Sequence, residues 1–78
     1  AQNISVIKKK KHPTIDFAAS QIKKYLKKAG LTKRIQIILD IENQSDEDTI
    51  SIQPHNSGYL ITGSNPRSVL FGVYRFLS

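Results

Sequence analysis

The chain contains no cysteine and no tryptophan, and each absence excludes a class of site. Without cysteine there is no disulfide framework, no thiolate metal ligand and no thiol nucleophile. Very small domains often depend on such cross-links or metals, so a fold of 78 residues without them has to be held together by its apolar core. Without tryptophan, and with three scattered tyrosines, the chain has little to stack against sugar rings, which argues against a carbohydrate-binding module.

Long apolar runs are also missing. No stretch approaches the roughly 20 residues that a membrane-spanning helix needs, and the first residues lack the uncharged apolar core of a secretory signal. We therefore expect no membrane partner. At the other end, an apolar helical pattern runs directly into Ser78 without a glycine stop or a polar tail, which favours a segment of a longer protein.

The net charge of +6 is unevenly divided. Residues 1–34 hold ten of the twelve lysines and arginines and one acid, a net charge of +9, whereas residues 35–78 hold two arginines and five acids, a net charge of −3. A basic surface of this kind attracts nucleic acid. No aromatic pair or glycine clamp of the kind that reads RNA accompanies the lysines, so a solvated surface is the simpler interpretation. A stand-alone nucleic-acid-binding module is the main alternative function.

Hydrophobic periodicity predicts six elements in the order βαβββα. Alternating residues predict strands at 3–8, 34–42, 49–53 and 59–62, and apolar steps of three and four predict helices at 15–29 and from 66 onward. Thr14 is a candidate N-cap for the first helix and Gly30 its stop, while Asn65 and Pro66 open the second.

This order predicts an α+β fold, a two-layer sandwich in which a mixed four-stranded sheet carries both helices on one face. The first βαβ unit is long enough for a right-handed crossover between parallel strands, and the later strands, joined by short turns, are expected to be antiparallel. Apolar residues at alternate positions should face the helices: Ile4, Val6, Ile35, Ile37, Leu39 and Ile41.

The opposite face of the sheet is then left to water or to a partner. Ile7, Ile38 and one of Leu60 or Tyr59 interrupt otherwise polar strand faces there. We interpret Ile7, Ile38 and Leu60 as a candidate interface.

Residues with catalytic or metal-binding chemistry are few and badly spaced. His12 and His55 flank prolines in predicted turns, without a serine or carboxylate partner. The run 46–48 of three acids lacks the spacing of a calcium loop. Asp40 and Glu42 are neighbours on one strand rather than carboxylates facing each other across a pocket. We expect no catalytic residue, no cofactor and no metal in this segment.

The last third of the chain resembles a known domain family. The pattern joins a glycine-bounded strand, a short polar turn and a helix with an internal glycine, and residues 17–26 add an alanine-rich helix that ends in Tyr25 and Leu26. The matching residues in the last third are Gly58, Tyr59, Ile61, Gly63, Leu70, Gly72, Val73, Tyr74, Phe76 and Leu77. The segment is similar to the small α/β domain that precedes the catalytic barrel in some glycoside hydrolases, notably β-N-acetylhexosaminidases and α-glucuronidases.

The resemblance implies that residues 1–78 form a single non-catalytic accessory domain of a carbohydrate-degrading glycoside hydrolase. Its partner would be the catalytic barrel of the same parent chain, which in this family holds the acid and base carboxylates; no residue here matches those motifs. A secreted or periplasmic location is implied by the same resemblance. The lysine run at 8–11 and the acid-rich central turn depart from the family pattern.

Overall fold

The computed structural model describes residues 4–30, 34–56 and 58–78. Its elements are β1 (Ile4–Lys8), α1 (Pro13–Lys28), β2 (Ile35–Ile41), β3 (Ile50–His55), β4 (Gly58–Gly63) and α2 (Pro66–Leu77). The predicted order and the α+β class with a mixed four-stranded sheet are confirmed. Asn3, the predicted start of β1, lies outside the described residues.

The order of strands across the sheet is β1-β2-β4-β3. β1 and β2 are parallel, as expected for a βαβ unit, and β3 pairs antiparallel with β4. The sequence pattern does not indicate that β4 lies between β2 and β3 and pairs parallel with β2. Composition explains this position: β4 carries the buried Ile61, whereas β3 carries Pro54, whose missing N–H suits an edge strand.

The hairpin between β3 and β4 is tighter than the predicted turn at 54–58. His55 still pairs with Gly58, and Asn56 takes the left-handed backbone conformation, φ 51°, that a two-residue hairpin loop favours. Pro54 and His55 therefore belong to β3, because a proline that needs no ladder hydrogen bond can continue an edge strand.

Both helices begin at capped residues followed by proline. For α1 the predicted cap, Thr14, is wrong: His12 is the N-cap, and its ring Nδ1 accepts a hydrogen bond from the Thr14 N–H at 3.0 Å. For α2 the prediction is confirmed, and Asn65 and Ser68 form a reciprocal capping box. Gly30, with φ 69°, follows the C-cap Ala29 of α1 as expected.

The helices pack against each other and against one face of the sheet. The fully buried aliphatic residues come from both helices, β2 and β4: Ile15, Ala18, Ala19, Ile22, Ile37, Leu39, Ile61, Val69 and Val73. Val6, Ile35 and Ile41 pack against this cluster. One layer of helices on one layer of strands leaves the second sheet face outside the core.

Candidate functional surfaces

The three predicted interface residues lie in one row across the outer face of the sheet. Ile7 is the register partner of Ile38, and Ile38 is the partner of Leu60. Ile7 is 37% exposed and Leu60 is half-buried, while Ile38, between them, is 8% exposed. We call Ile7, Ile38 and Leu60 the apolar row. Tyr59, the alternative to Leu60, lies on the helix face with its ring centroid 5.0 Å from that of Phe76.

The rows beside the apolar row are polar but almost uncharged. One row runs through Ser5, Gln36, Gly58 and His55, and the other through Asp40, Thr62 and Ser51. Among the described residues, no lysine or arginine lies within a strand on this face, although Lys9 directly follows β1 beside Asp40. A low density of full charge with apolar residues at the centre is the composition found in the cores of protein interfaces.

The outer surface of the helices carries a second set of uncovered apolar side chains. Phe17 and Tyr25 on α1, and Phe71 and Tyr74 on α2, are each between 44% and 48% exposed. Phe17 is two residues from both Ile15 and Ala19, about 200° around the helix from each, so it points away from the core. These aromatics are not evident as a surface from the sequence, because the periodic apolar positions of the helices describe only the buried stripe.

The lysines do not form one compact patch. Those at 8–11 lie next to the N-terminal end of α1, where Lys8 Nζ is 2.9 Å from an Asp16 carboxylate oxygen and Lys10 Nζ is 4.0 Å from one of Asp40. The other group, Lys23, Lys24, Lys27 and Lys28, occupies the C-terminal half of the same helix. At 1.5 Å of rise per residue, Pro13 and Lys24 are about 17 Å apart along the helix axis.

A shallow cavity of about 270 Å³ lies where the N-termini of the two helices meet. Its lining residues are His12, Thr14, Asp46, Asn65, Pro66 and Arg67. Two of the polar side chains at its rim already have partners within the protein: His12 caps α1, and Arg67 binds Asp48. In neutral His12 the proton therefore sits on Nε2, because Nδ1 is the acceptor of the cap.

Asp48 and Ser64 form a hub that ties the turn between β2 and β3 to the start of α2. The Asp48 carboxylate accepts hydrogen bonds from Arg67 Nη2 and Asn65 Nδ2, both at 3.0 Å. The Arg67 guanidinium, followed by the Asn65 amide, holds the pKa of the Asp48 carboxyl below its usual range. Ser64, 1% exposed, accepts from the Thr49 N–H and donates to the Glu47 carbonyl.

This hub was not foreseen. From the sequence alone, Arg67 is expected to be solvated or to pair with an acid such as Glu42, and the acids at 46–48 are expected to be solvated. Part of the hub can be recognised in the sequence. In Asn-Pro-Arg-Ser a serine follows the N-cap asparagine by three residues, which is the spacing of a capping box.

The remaining acids do not converge. Asp40 accepts a hydrogen bond from the N–H of Ile41, and Glu42 lies beyond the end of β2. In the described ranges, no three side chains of histidine, aspartate or glutamate come together in a way that could hold a metal ion. Among these same residues, neither helix has the length and apolar character to cross a bilayer.

No family model, curated protein or solved structure matches this chain.

Proposed function

We propose that this chain is an accessory docking domain of a carbohydrate-degrading glycoside hydrolase, and that it packs against the catalytic barrel of the same parent protein. The observation that carries the proposal is the two-layer architecture itself. It leaves apolar side chains partly exposed on both outer surfaces, Ile7 and Leu60 on the sheet and the aromatics on the helices.

Three glycines of the family resemblance support the proposal, because packing leaves no room for a side chain at their positions. A Cβ on Gly63 would lie 2.7 Å from the backbone nitrogen of Val69, and one on Gly72 would lie 2.8 Å from Cγ2 of Ile61. A Cβ on Gly58 would collide with the carbonyl oxygen of Gln36. These three glycines allow β4 to approach β2 and α2 to approach the sheet closely.

The two surfaces contribute differently to docking. The aromatics on the helices leave more apolar area uncovered, and aromatic residues are enriched in interfaces. The apolar row is contiguous, and its neighbours are nearly free of charge. A barrel that covers either surface would remove that apolar area from water, at roughly 25 cal/mol per Å² before the costs of association.

The sequence of the parent gene beyond Ser78 is the first test. We expect a (β/α)-repeat barrel with paired carboxylates at the C-terminal ends of its strands. A stop codon directly after Ser78, or a following domain without such a barrel, would contradict the proposal.

A docking experiment then identifies the surface. We expect one of two double variants, Ile7→Lys with Leu60→Lys or Phe17→Ser with Phe71→Ser, to weaken binding to the separately produced barrel by about tenfold or more, because docking would bury a charge or lose aromatic contacts. Titration calorimetry measures the Kd. Glu47→Lys, on the turn between β2 and β3, is the control. If both double variants bind like the control, docking through these surfaces is disproved.

A further inference from the structure

The free edge of β1 is the part of the fold that remains unexplained. In a parallel pair, each strand directs the N–H and C=O of alternate residues toward its neighbour. The Lys9 N–H donates to the Leu39 carbonyl at 2.9 Å, so Ser5 and Ile7 also face β2. The backbones of Val6 and Lys8 therefore point outward, where the described residues supply no neighbouring strand.

The two edges of the sheet differ. Just before β3, the Thr49 carbonyl accepts a hydrogen bond from the Ser64 N–H. By alternation, the backbone groups of Ile50, Ile52 and Pro54 then point away from β4, toward the outside of the sheet. Pro54 has no N–H, which interrupts that edge as a template for another strand. β1 contains no proline or glycine, so no residue interrupts the row of outward-pointing N–H and C=O groups that another strand could pair with.

The apolar row also favours the edge of β1, rather than that of β3, as the place where a further strand would bind. At β3 the row ends at Gln53, the register partner of Leu60. At β1 it ends at Ile7, which is 37% exposed. A strand added beside β1 would bring its own side chains alongside Ile7 and continue the row across a fifth strand.

The positive charge next to β1 determines the chemical class of strand that can bind there. The lysines at 8–11 begin at the last residue of β1, and residues 1–34 carry a net charge of +9. A second copy of this chain, paired edge to edge, would bring two such regions together and be repelled. Lys9 and Lys11 are exposed, and no carboxylate in the described ranges lies within ion-pair distance of either.

We propose that the edge of β1 binds an extended acidic peptide segment as a fifth strand. Backbone hydrogen bonds to Val6 and Lys8 would supply the register, contact with Ile7 the apolar part, and carboxylates near Lys9 and Lys11 the selectivity. This assignment rests on the free backbone groups of β1 and on Lys9 and Lys11 rather than on the proposed function, although it shares Ile7 with the apolar row.

Amide hydrogen exchange measured by NMR tests the assignment residue by residue. The probe is an end-blocked ten-residue peptide that alternates glutamate and valine. We expect its binding to slow exchange at the amides of Val6 and Lys8 and to leave Ser5 and Ile7 unchanged, because the latter are already bonded to β2. Binding without this alternation would overturn the assignment, and so would equal binding of a peptide with lysine in place of glutamate.

Matched charge variants provide the second arm. Lys9→Gln with Lys11→Gln should weaken peptide binding about fivefold at low salt, whereas Lys24→Gln with Lys28→Gln, which removes the same charge from α1, should not. Equal losses in both pairs would indicate general charge attraction and refute a specific edge site. A short DNA duplex that binds residues 8–11 more tightly than the peptide does would assign the lysines to nucleic acid instead.

Discussion

Gly72 shows how closely α2 rests on the sheet. It lies in the middle of the helix, where glycine costs about 1 kcal/mol relative to alanine. A Cβ at this position would lie 2.8 Å from Cγ2 of Ile61 and 3.0 Å from Cγ2 of Ile50. Ile61 is fully buried, so the close contact between helix and strand offsets the poor helix propensity. From the sequence alone this glycine fits either a close approach of the helix to the sheet or a simple irregularity, and the structure shows the approach and its partners.

Gly72→Ala should therefore destabilise the fold despite the better helix former. We expect a net loss of about 1 kcal/mol, since overpacking typically costs about 1–3 kcal/mol and the propensity gain returns about 1. Urea unfolding followed by circular dichroism measures the free energy of unfolding. Ser20→Ala, at an exposed position of α1, is the control for propensity without a new core contact, and a Gly72 variant more stable than the wild type would contradict the packing described for α2.

Among the elements, the turn between β2 and β3 is held by residues 63–68 around the start of α2 as well as by its own hydrogen bond from the Glu47 N–H to Ser45 Oγ. The Asp48 carboxylate accepts hydrogen bonds from Arg67 and Asn65, and the Ser64 hydroxyl is hydrogen-bonded to the backbone of Thr49 and Glu47. The cap of α2 thus also holds a segment about 20 residues earlier in the chain. Periodicity is a local signal, so it predicted the capped helix and the polar turn but not the contact between them.

Lowering the pH should weaken the contact between Asp48 and the start of α2 before it affects the buried core. The pKa of Asp48 is lowered in the folded chain from its ordinary value of 3.8, chiefly by Arg67. Its ionised form thus adds stability above about pH 4, and this contribution is lost as the pH falls through the lowered folded pKa. We expect Asp48→Asn to be less stable than the wild type at pH 7 and the difference to shrink by pH 3.

Urea midpoints at the two pH values measure this difference. Glu47→Gln, which neutralises the adjacent acid, is the control and should show little change at either pH. A deficit of Asp48→Asn that stays constant between pH 7 and pH 3 would show that its carboxylate charge is not what binds the turn.

For the whole molecule, the sequence predicted the class, the element order and the helix face of the sheet, because each follows from the spacing of apolar residues along one segment. It did not predict that β4 is central, since strand order depends on partners far apart in the chain. The apolar row was predicted residue by residue, but its alignment across three strands needed the register. The exposed aromatics of the helices were missed because their helices also contain complete buried stripes.

The distribution of charge over the molecule sets an expectation for nucleic acid. Lysines 8–11 lie next to the start of α1, and Lys24 lies about 17 Å further along the helix axis. With its lysines divided in this way, the domain should bind a 20-base-pair duplex weakly and with a steep dependence on salt. Fluorescence anisotropy at two salt concentrations measures this. Tight binding that persists at 200 mM salt would favour the nucleic-acid-binding module over the docking domain.

The position of β4 has a consequence for synthesis on the ribosome. β2 and β3 share no hydrogen bonds with each other, and both take their main partner from residues 58–63. A nascent chain that has emerged only as far as Asn56 holds three of the four strands but lacks the one that joins β3 to the others. β3 can therefore join the sheet only after residues 58–63 have been synthesised.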